Sequence, residues 1–231
     1  MTIAENLASV RERIGEAARR AGKDPAEIKL VAATKDVPAG FILEALNAGL
    51  TDIGENRVQE AKQKFDVLKD QPVTWHMIGH LQTNKVKAAL EMFTVIQSVD
   101  SQRLADEISQ RAQKIVEVFI EVNTSGEESK FGILPEEAVR LAEHISGLKN
   151  LKLDGLMTVG PLAGDEKAVR KSFRLLKGIF DQIKGLNLPS VELKYLSMGM
   201  SQDFEAAIEE GSNLVRIGRA IFGIEHQRAS L

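Results

Sequence analysis

Eight short apolar segments, each followed by a stretch with helical spacing, constrain the fold of this sequence more than any other feature. The predicted strands lie at 28–34, 51–54, 74–78, 94–99, 115–122, 151–157, 192–196 and 213–217. Between them lie amphipathic stretches such as 166–184, where apolar residues form one stripe. Strict alternation of strand and helix predicts parallel strands joined by right-handed crossovers. Eight such units predict an α/β protein, a single (β/α)8 TIM barrel, with an open doubly wound sheet as the alternative.

A further helix is predicted before the first strand. Apolar residues recur at helical spacing near the N-terminus, Thr2 and Glu5 match a capping box, and Gly22 is placed to end the helix. No linker rich in proline, glycine or serine divides the chain. We therefore expect residues 1–231 to form a single barrel domain with an extra N-terminal helix.

Composition narrows the class of partner. With 30 basic and 33 acidic residues, the chain lacks the broad positive field that attracts nucleic acids and anionic membranes. No apolar run approaches the roughly 18 residues of a membrane span, and no signal-peptide pattern is present. The absence of cysteine excludes disulfides, thiolate catalysis and cysteine-based metal sites. We expect a cytoplasmic protein with no nucleic-acid or membrane partner.

Polar and glycine residues follow the predicted strands where TIM barrels carry their sites. In this fold, binding groups lie in loops after the C-terminal ends of strands, often with a phosphate site after strands seven and eight. Candidates occur at or after the first, second, seventh and eighth strands: Lys35, Asn56, Ser197, Gly199, Arg216, Gly218 and Arg219. Glu55, next to Asn56, is interpreted either as a site residue or as a cap of the following helix.

Lys35 and the two glycine-containing loops together predict a pyridoxal phosphate site. A neutral lysine amine forms a Schiff base with an aldehyde, and partial desolvation near Arg216 would favour the neutral amine. Phosphate oxygens accept hydrogen bonds from backbone N–H groups and hydroxyls, which 197–201 and Gly218 can supply. A Schiff-base aldolase acting on a phosphorylated sugar is an alternative for the same residues. Lys130 is the rival amine, but its polar loop predicts a flexible, solvated side chain.

Arg216 interrupts the last apolar strand. Because side chains alternate along a strand, we expect its guanidinium to point to one barrel face and to require an acceptor. That acceptor is either an Asp or Glu in the barrel floor, or the ring nitrogen or phosphate of a cofactor. An arginine at the ring nitrogen would disfavour a pyridinium and weaken the cofactor as an electron sink.

His76 and His80 are four residues apart, a spacing that metal-binding pairs also show. They straddle a predicted strand end, with Gly79 between them, and no third ligand is evident. We therefore predict no metal site.

Four longer motifs resemble one known family. They are LVAATK at 30–35, IGENRVQE at 53–60, WHMIGHLQTNK at 75–85 and YLSMGMS at 195–201. Because several motifs occur in the right order over 35–223, the sequence is similar to the pyridoxal phosphate homeostasis protein family, also called the proline synthetase co-transcribed family. The resemblance implies a barrel like the N-terminal domain of bacterial alanine racemase.

The resemblance also implies roles for the candidate residues. Lys35 would form the Schiff base with pyridoxal 5′-phosphate, Asn56 would lie beside the cofactor, and Arg216 would approach the ring nitrogen. Ser197 and the backbone of Gly218 and Arg219 would bind the phosphate. Relatives are expected to carry a small hydroxyl residue at position 219, so only the backbone N–H is assigned there.

The function implied is to buffer pyridoxal phosphate and deliver it, without robust catalysis and with no catalytic residue. Partners would be the cofactor itself and, transiently, apo-enzymes that depend on it. The main alternative is an amino-acid racemase, which needs a second acid or base on the opposite face of the substrate. Related racemases bring a tyrosine from a separate domain, whereas the one tyrosine here is Tyr195. We expect a monomer, because no extended apolar helix face remains after the barrel helices are assigned.

Overall fold

The structure is a computed structural model that describes residues 1–161 and 165–226. In chain order its elements are α1 Ile3–Arg20, β1 Lys29–Ala33, α2 Ala39–Asn47, β2 Asp52–Glu55, α3 Val58–Leu68, β3 Thr74–Met77, α4 Val86–Leu90, β4 Val95–Val99, α5 Gln102–Arg111, β5 Val116–Glu121, α6 Ala138–Ser146, β6 Leu151–Met157, α7 Glu166–Gly185, β7 Val191–Ser197, α8 Phe204–Glu209, β8 Leu214–Ile217 and α9 Arg219–His226. Of the predicted single domain at 1–231, residues 162–164 and 227–231 lie outside the described residues.

The eight strands form a closed parallel barrel in chain order. The last strand pairs with the first, with Lys29 opposite Leu214 and Ala32 opposite Ile217. The closed barrel confirms the predicted α/β architecture and excludes the open doubly wound sheet. Each strand matches its predicted segment to within one residue at either end, because alternation of apolar runs and turn residues is a strong signal in this fold.

Helix α1 confirms the predicted N-terminal helix and its cap. The Thr2 hydroxyl accepts a hydrogen bond from the Glu5 N–H at 3.2 Å, and the Glu5 carboxylate accepts from the Thr2 N–H at 2.8 Å. Gly22 follows the helix with φ of 69°, a left-handed conformation that favours glycine. Helix α1 packs beside α8 and α9, and Arg13 forms an ion pair with Glu205. It thereby covers the outside of the barrel near the closing strands.

Alternation along the strands separates an outer and an inner layer. Outward side chains such as Ile53 and Trp75 pack beneath the helices in the main hydrophobic core. Part of the barrel interior is filled by an apolar cluster of Val31, Val95, Phe119, Met157 and Leu214. Arg216 lies two residues after Leu214 and is also buried, so its side chain points into the barrel interior.

Helix α7 shows the expected amphipathic pattern. The buried residues of its apolar stripe include Phe173, Leu176, Phe180 and Ile183, while its other face carries charged residues such as Lys177. Over 1–161 and 165–226, no helix combines the length and the apolar character needed to cross a bilayer.

Candidate functional site

A cavity of about 690 Å³ opens where the C-terminal ends of β2, β3 and β5 meet the turn after β1. Lys35 and Asn56, two of the predicted site residues, line it together with Met77, Glu121 and Phe131. The cavity lies at the barrel end that carries binding sites in this fold. The predicted amine therefore lies at an open cavity at this end of the barrel.

Lys35 lies in the turn that follows β1, two residues beyond the strand end. Its side chain is 51% exposed, and its ammonium lies 3.7 Å from the carboxylate of Asp36. The desolvation that was expected around this amine is therefore not found in the structure. The exposed position instead leaves the amine open to an aldehyde from solvent.

A buried ion pair holds one side of this turn. Lys64, on α3, donates to the Thr34 carbonyl oxygen at 2.6 Å and to the Glu55 carboxylate at 2.7 Å. The Thr34 hydroxyl donates to the same carboxylate at 2.6 Å. Burial raises the pKa of Glu55, although Lys64 and Thr34 oppose that shift. The suggestion that Glu55 caps α3 is wrong, because the residue at the N-cap is Arg57 and the Glu55 side chain faces Lys64.

The other side of the turn is held through Glu60. Its carboxylate accepts a hydrogen bond from the Asp36 N–H and lies 3.4 Å from the Lys64 ammonium. Asp36 adopts a positive φ of 58°, which non-glycine residues reach only at some strain. Lys64 and its two carboxylates therefore fix the backbone on both sides of Lys35. Sequence reasoning missed Lys64, because a single lysine on a polar helix resembles a solvated residue.

Two glycines allow the loops after β7 and β8 to pack closely. Gly199 has φ of 97°, and a Cβ there would lie 2.6 Å from the Cβ of Ala207. A Cβ at Gly218 would lie 2.8 Å from the carbonyl oxygen of Ala33. Because Ala33 ends the strand before the Lys35 turn, the Gly218 loop lies directly beside that turn.

The same two loops bring donors together. The Ser201 hydroxyl accepts a hydrogen bond from the Ala220 N–H at 3.4 Å, so it lies over the first turn of α9. Within the described chain, the N–H groups of Ser201, Gly218 and Arg219 have no hydrogen-bond acceptor. The Arg219 side chain is exposed. A free hydroxyl proton and unpaired N–H groups fit a phosphate. Ser201 thus joins the predicted residues, and the signal for it was the second serine of the glycine loop.

Arg216 and Ser197 lie inside the barrel, next to these loops. The guanidinium donates to the Ser197 hydroxyl at 2.6 Å and to the Thr158 carbonyl at 2.7 Å. Among the described residues no carboxylate forms an ion pair with Arg216, so the alternative of an Asp or Glu partner in the floor is not observed. Burial lowers the pKa of Arg216 to about 10, although the charges of Glu121 and Asp203 oppose this shift. The arginine therefore remains a cation with a largely unneutralised charge.

Glu121 is a second residue that sequence reasoning missed. It ends β5, lines the same cavity as Lys35 and is 6% exposed. Its Oε2 atom is buried without a hydrogen-bond partner in the described chain. Burial and the nearby charge of Asp100 raise the pKa of Glu121 to about 7, although Arg216 opposes the shift. A buried carboxyl group without a partner in the lining of a cavity is typical of a cavity that receives a polar ligand.

Replacement of Glu121 by glutamine should remove a pH dependence of stability. Because the folded-state pKa lies above the ordinary value of 4.5, stability is greatest below that value and falls as the pH rises through 7. The shift corresponds to about 3 kcal/mol. Glu121→Gln should match the wild type at pH ~5 and exceed its free energy of unfolding at pH ~8 by up to that amount.

Urea unfolding of the ligand-free protein at several pH values measures this difference. Glu128→Gln is the matched control, because Glu128 is exposed in the loop after the same strand. The control should follow the wild type throughout. A Glu121→Gln variant that is equally destabilised at every pH would contradict the raised pKa.

Lys130 is not the flexible, solvated lysine that its loop suggested. Its side chain is only 10% exposed. The ammonium donates to the Gly160 carbonyl and lies 3.0 Å from the Glu127 carboxylate. Lys130 is buried because the loop after β5 folds back onto the loop after β6. The local sequence does not reveal this contact between distant loops. Both hydrogen-bond partners fix the Lys130 amine away from free solution.

The two histidines have separate partners. His76 bonds Asp52 inside the barrel at 2.9 Å, and His80 bonds Asp100 at 2.9 Å while its ring stacks on Phe131. In residues 1–161 and 165–226, no group of His, Asp and Glu side chains is arranged to hold a metal ion.

Comparison with known proteins finds relatives that match nearly the whole chain. The profile of the family described as alanine racemase, N-terminal domain, matches residues 5–226. A pyridoxal phosphate homeostasis protein of Aquifex aeolicus is 46% identical over 226 residues, which cover 96% of this chain and 98% of the relative. A protein of that name from Escherichia coli is 41% identical, with 96% of each chain covered.

Solved structures share the fold. The structure of PipY from Synechococcus elongatus with PLP bound superposes with a TM-score of 0.84 at 33% identity and covers 96% of this chain and 100% of its own. An alanine racemase of Clostridium difficile superposes with a TM-score of 0.73 at 16% identity, where this chain covers 56% of that protein. The second likeness is one of fold alone. The identity and coverage of the relatives show that this chain belongs to the pyridoxal phosphate homeostasis protein family, whose barrel is that of the alanine racemase N-terminal domain.

Proposed function

We propose that this chain binds pyridoxal 5′-phosphate as a Schiff base on Lys35 and serves to buffer the cofactor and deliver it to other proteins. The observation that carries the proposal is the position of the Lys35 turn, between an open cavity and the donor-lined loops after β7 and β8. An amine and an anion site that adjoin each other fit an aldehyde that carries a phosphate. Relatives named for pyridoxal phosphate homeostasis support the same ligand.

The candidate residues have separate roles under this proposal. Lys35 supplies the amine, and Asn56 lines the same cavity. The phosphate would accept hydrogen bonds from the loops that contain Gly199, Ser201, Gly218 and Arg219, where Gly199 allows its loop to pack against α8.

Arg216 would face the ring nitrogen. Its remaining N–H groups are donors only, so they favour an unprotonated ring nitrogen. The bound cofactor supplies an electrophilic aldehyde and an electron-withdrawing ring. An unprotonated ring nitrogen lowers the electron-withdrawing power of that ring. A weakened electron sink favours storage of the cofactor over catalytic turnover. In this proposal the barrel is a single cofactor-binding domain, and the protein acts as a monomer.

The racemase alternative lacks a tyrosine at the cavity. Tyr195 stacks on Phe119 inside the barrel, and its ring lies 5.7 Å from the Lys29 ammonium. These neighbours line a separate cavity at the opposite barrel end. A second acid or base opposite Lys35 would have to come from another residue. Storage and delivery therefore fit the geometry better than racemisation does.

Titration of the purified protein with pyridoxal phosphate tests the proposal. We expect a near-visible absorption band that saturates at one cofactor per chain and disappears on treatment with borohydride. Incubation of the loaded protein with L-alanine in D2O should leave the α-hydrogen in place. A colourless protein that traps only a phosphorylated sugar would favour an aldolase, and rapid α-hydrogen exchange would favour a racemase.

A further inference from the structure

Five buried polar side chains form one continuous series of hydrogen bonds through the barrel, which we call the interior network. Its members come from β2, β3, β4, β7 and β8, and each is at most 4% exposed: Asp52, His76, Gln97, Ser197 and Arg216. The distances are 2.6 Å from Arg216 Nη1 to Ser197 Oγ and 2.7 Å from Ser197 Oγ to Gln97 Oε1. They are 3.0 Å from Gln97 Nε2 to His76 Nδ1 and 2.9 Å from His76 Nε2 to Asp52 Oδ1.

The two ends of the interior network, together with a neutral His76 imidazole, fix the direction of every hydrogen bond. A guanidinium can only donate and a carboxylate can only accept. Ser197 therefore accepts from Arg216 and donates to the Gln97 carbonyl oxygen. The Gln97 amide donates to His76 Nδ1, which places the imidazole proton on Nε2, where it faces Asp52. Hydrogen bonds aligned in this way strengthen one another in a low-dielectric interior.

The floor of the barrel anchors the series. Burial would raise the pKa of Asp52, but hydrogen bonds from His76 and Thr51 and the charge of Lys29 outweigh it and lower the pKa to about 2. Burial lowers the pKa of His76, opposed by Asp52, so the imidazole is neutral near pH ~7. A neutral imidazole can accept on one nitrogen and donate from the other, as the interior network requires.

The consequence for Arg216 follows from its lack of an ion pair. Its guanidinium is oriented by the Ser197 hydroxyl and the Thr158 carbonyl. A hydroxyl can rotate, and its lone pair faces Arg216 only while its proton has another acceptor. Gln97 Oε1 is that acceptor. The Gln97 amide is in turn kept from rotating, because His76 Nδ1 needs a donor.

We propose that Gln97 and His76 are positioning residues of the cofactor site, which fix the Ser197 lone pair toward Arg216 and thereby hold the guanidinium in place for the ring nitrogen. The proposal rests on the proposed function of the site. Neither residue lines the Lys35 cavity, so each acts through Ser197. Ser197 is accordingly an orienting acceptor, and its proton is not available to the phosphate.

Two substitutions at one position separate positioning from packing. Gln97→Met removes the acceptor for the Ser197 proton at similar volume, and we expect the dissociation constant for pyridoxal phosphate to rise roughly tenfold, as for loss of one hydrogen bond. Gln97→Glu retains an acceptor oxygen for Ser197 and should keep most of the affinity. A residue that mattered only for packing would give equal affinities in both variants, with any difference confined to thermal stability.

Nitrogen NMR of the ligand-free protein provides an independent reading. In the wild type, His76 should carry its proton on Nε2, with Nδ1 unprotonated, and the signal is assigned by its loss in His76→Gln. In Gln97→Glu a carboxylate faces Nδ1, so His76 should become protonated on both nitrogens near pH ~7. A wild-type His76 with its proton on Nδ1 would overturn the interior network even if the Gln97→Met variant did not fold.

The outcomes distinguish this proposal from the function on which it rests. Tight binding by the wild type with unchanged affinity in Gln97→Met would overturn the positioning role alone. A wild type with the expected histidine tautomer but no reducible adduct would overturn the proposed function, and with it the role of the network in cofactor binding. Weakened binding in Gln97→Met, retained binding in Gln97→Glu and the Nε2 tautomer together would support the proposal.

Discussion

Lys35→Ala is expected to eliminate the borohydride-reducible pyridoxal adduct while the barrel remains folded. The amine is the group that would form the Schiff base, so its loss removes the covalent bond and leaves only contacts to the phosphate and ring. The side chain is half exposed and lies in a turn beyond the strand end. The free energy of unfolding should therefore change by no more than about 0.5 kcal/mol. Absorbance before and after borohydride, together with urea unfolding, measures both effects.

Lys130→Ala is the matched control for this experiment. Lys130 is the rival amine in the loop after β5, and its ammonium contacts the Gly160 carbonyl and the Glu127 carboxylate. The control should keep the absorption band and its sensitivity to borohydride. A reducible adduct that persists in Lys35→Ala and disappears in Lys130→Ala would place the Schiff base on Lys130. That result would contradict our assignment to Lys35.

Lys64→Met should have the largest effect on stability. Lys64 is the cation beside the fully buried Glu55, and its removal leaves a buried carboxylate without a counter-charge. Breaking a buried pair in this way costs about 3–5 kcal/mol. Because burial raises the pKa of Glu55, the loss should be smaller at acidic pH, where that carboxyl takes up a proton. Urea unfolding at neutral and acidic pH gives the comparison.

Two further variants isolate the buried pair. Lys62→Met replaces an exposed lysine on the same helix and should be nearly neutral. The double variant of Lys64→Met with Glu55→Gln removes both charges and should recover most of the stability. It should still bind pyridoxal phosphate more weakly than the wild type, because the Thr34 carbonyl next to Lys35 loses its donor. If the double variant is no more stable than Lys64→Met, the loss does not come from the unpaired carboxylate.

The barrel could be predicted from the sequence because its signal is local and repeated. Each strand is an apolar run that ends at turn residues, and α1 carries its own capping box. Strand alternation also predicted that the Arg216 side chain faces one side of the barrel wall, and the structure shows that this side is the interior. The mouth loops could be placed for the same reason, because the ends of parallel strands meet at one edge of the barrel.

The surroundings of those residues could not be predicted, because they depend on contacts between distant strands. Lys64 bonds a carbonyl 30 positions away, and Ser197 bonds Gln97 across 100 positions. Glu121 ends the apolar strand β5 and Lys130 lies in a polar loop, and the surroundings of each depend on how the loops pack. Only the structure therefore reveals the contacts of Lys64 with the Lys35 turn, the unpartnered Oε2 atom of Glu121 and the buried position of Lys130.

Peptide mass mapping after borohydride reduction of the loaded wild-type protein tests the central claim most directly. Our account predicts one pyridoxyl group per chain, on the peptide that contains Lys35. A pyridoxyl group on the Lys130 peptide instead, or no adduct at saturating cofactor, would contradict it.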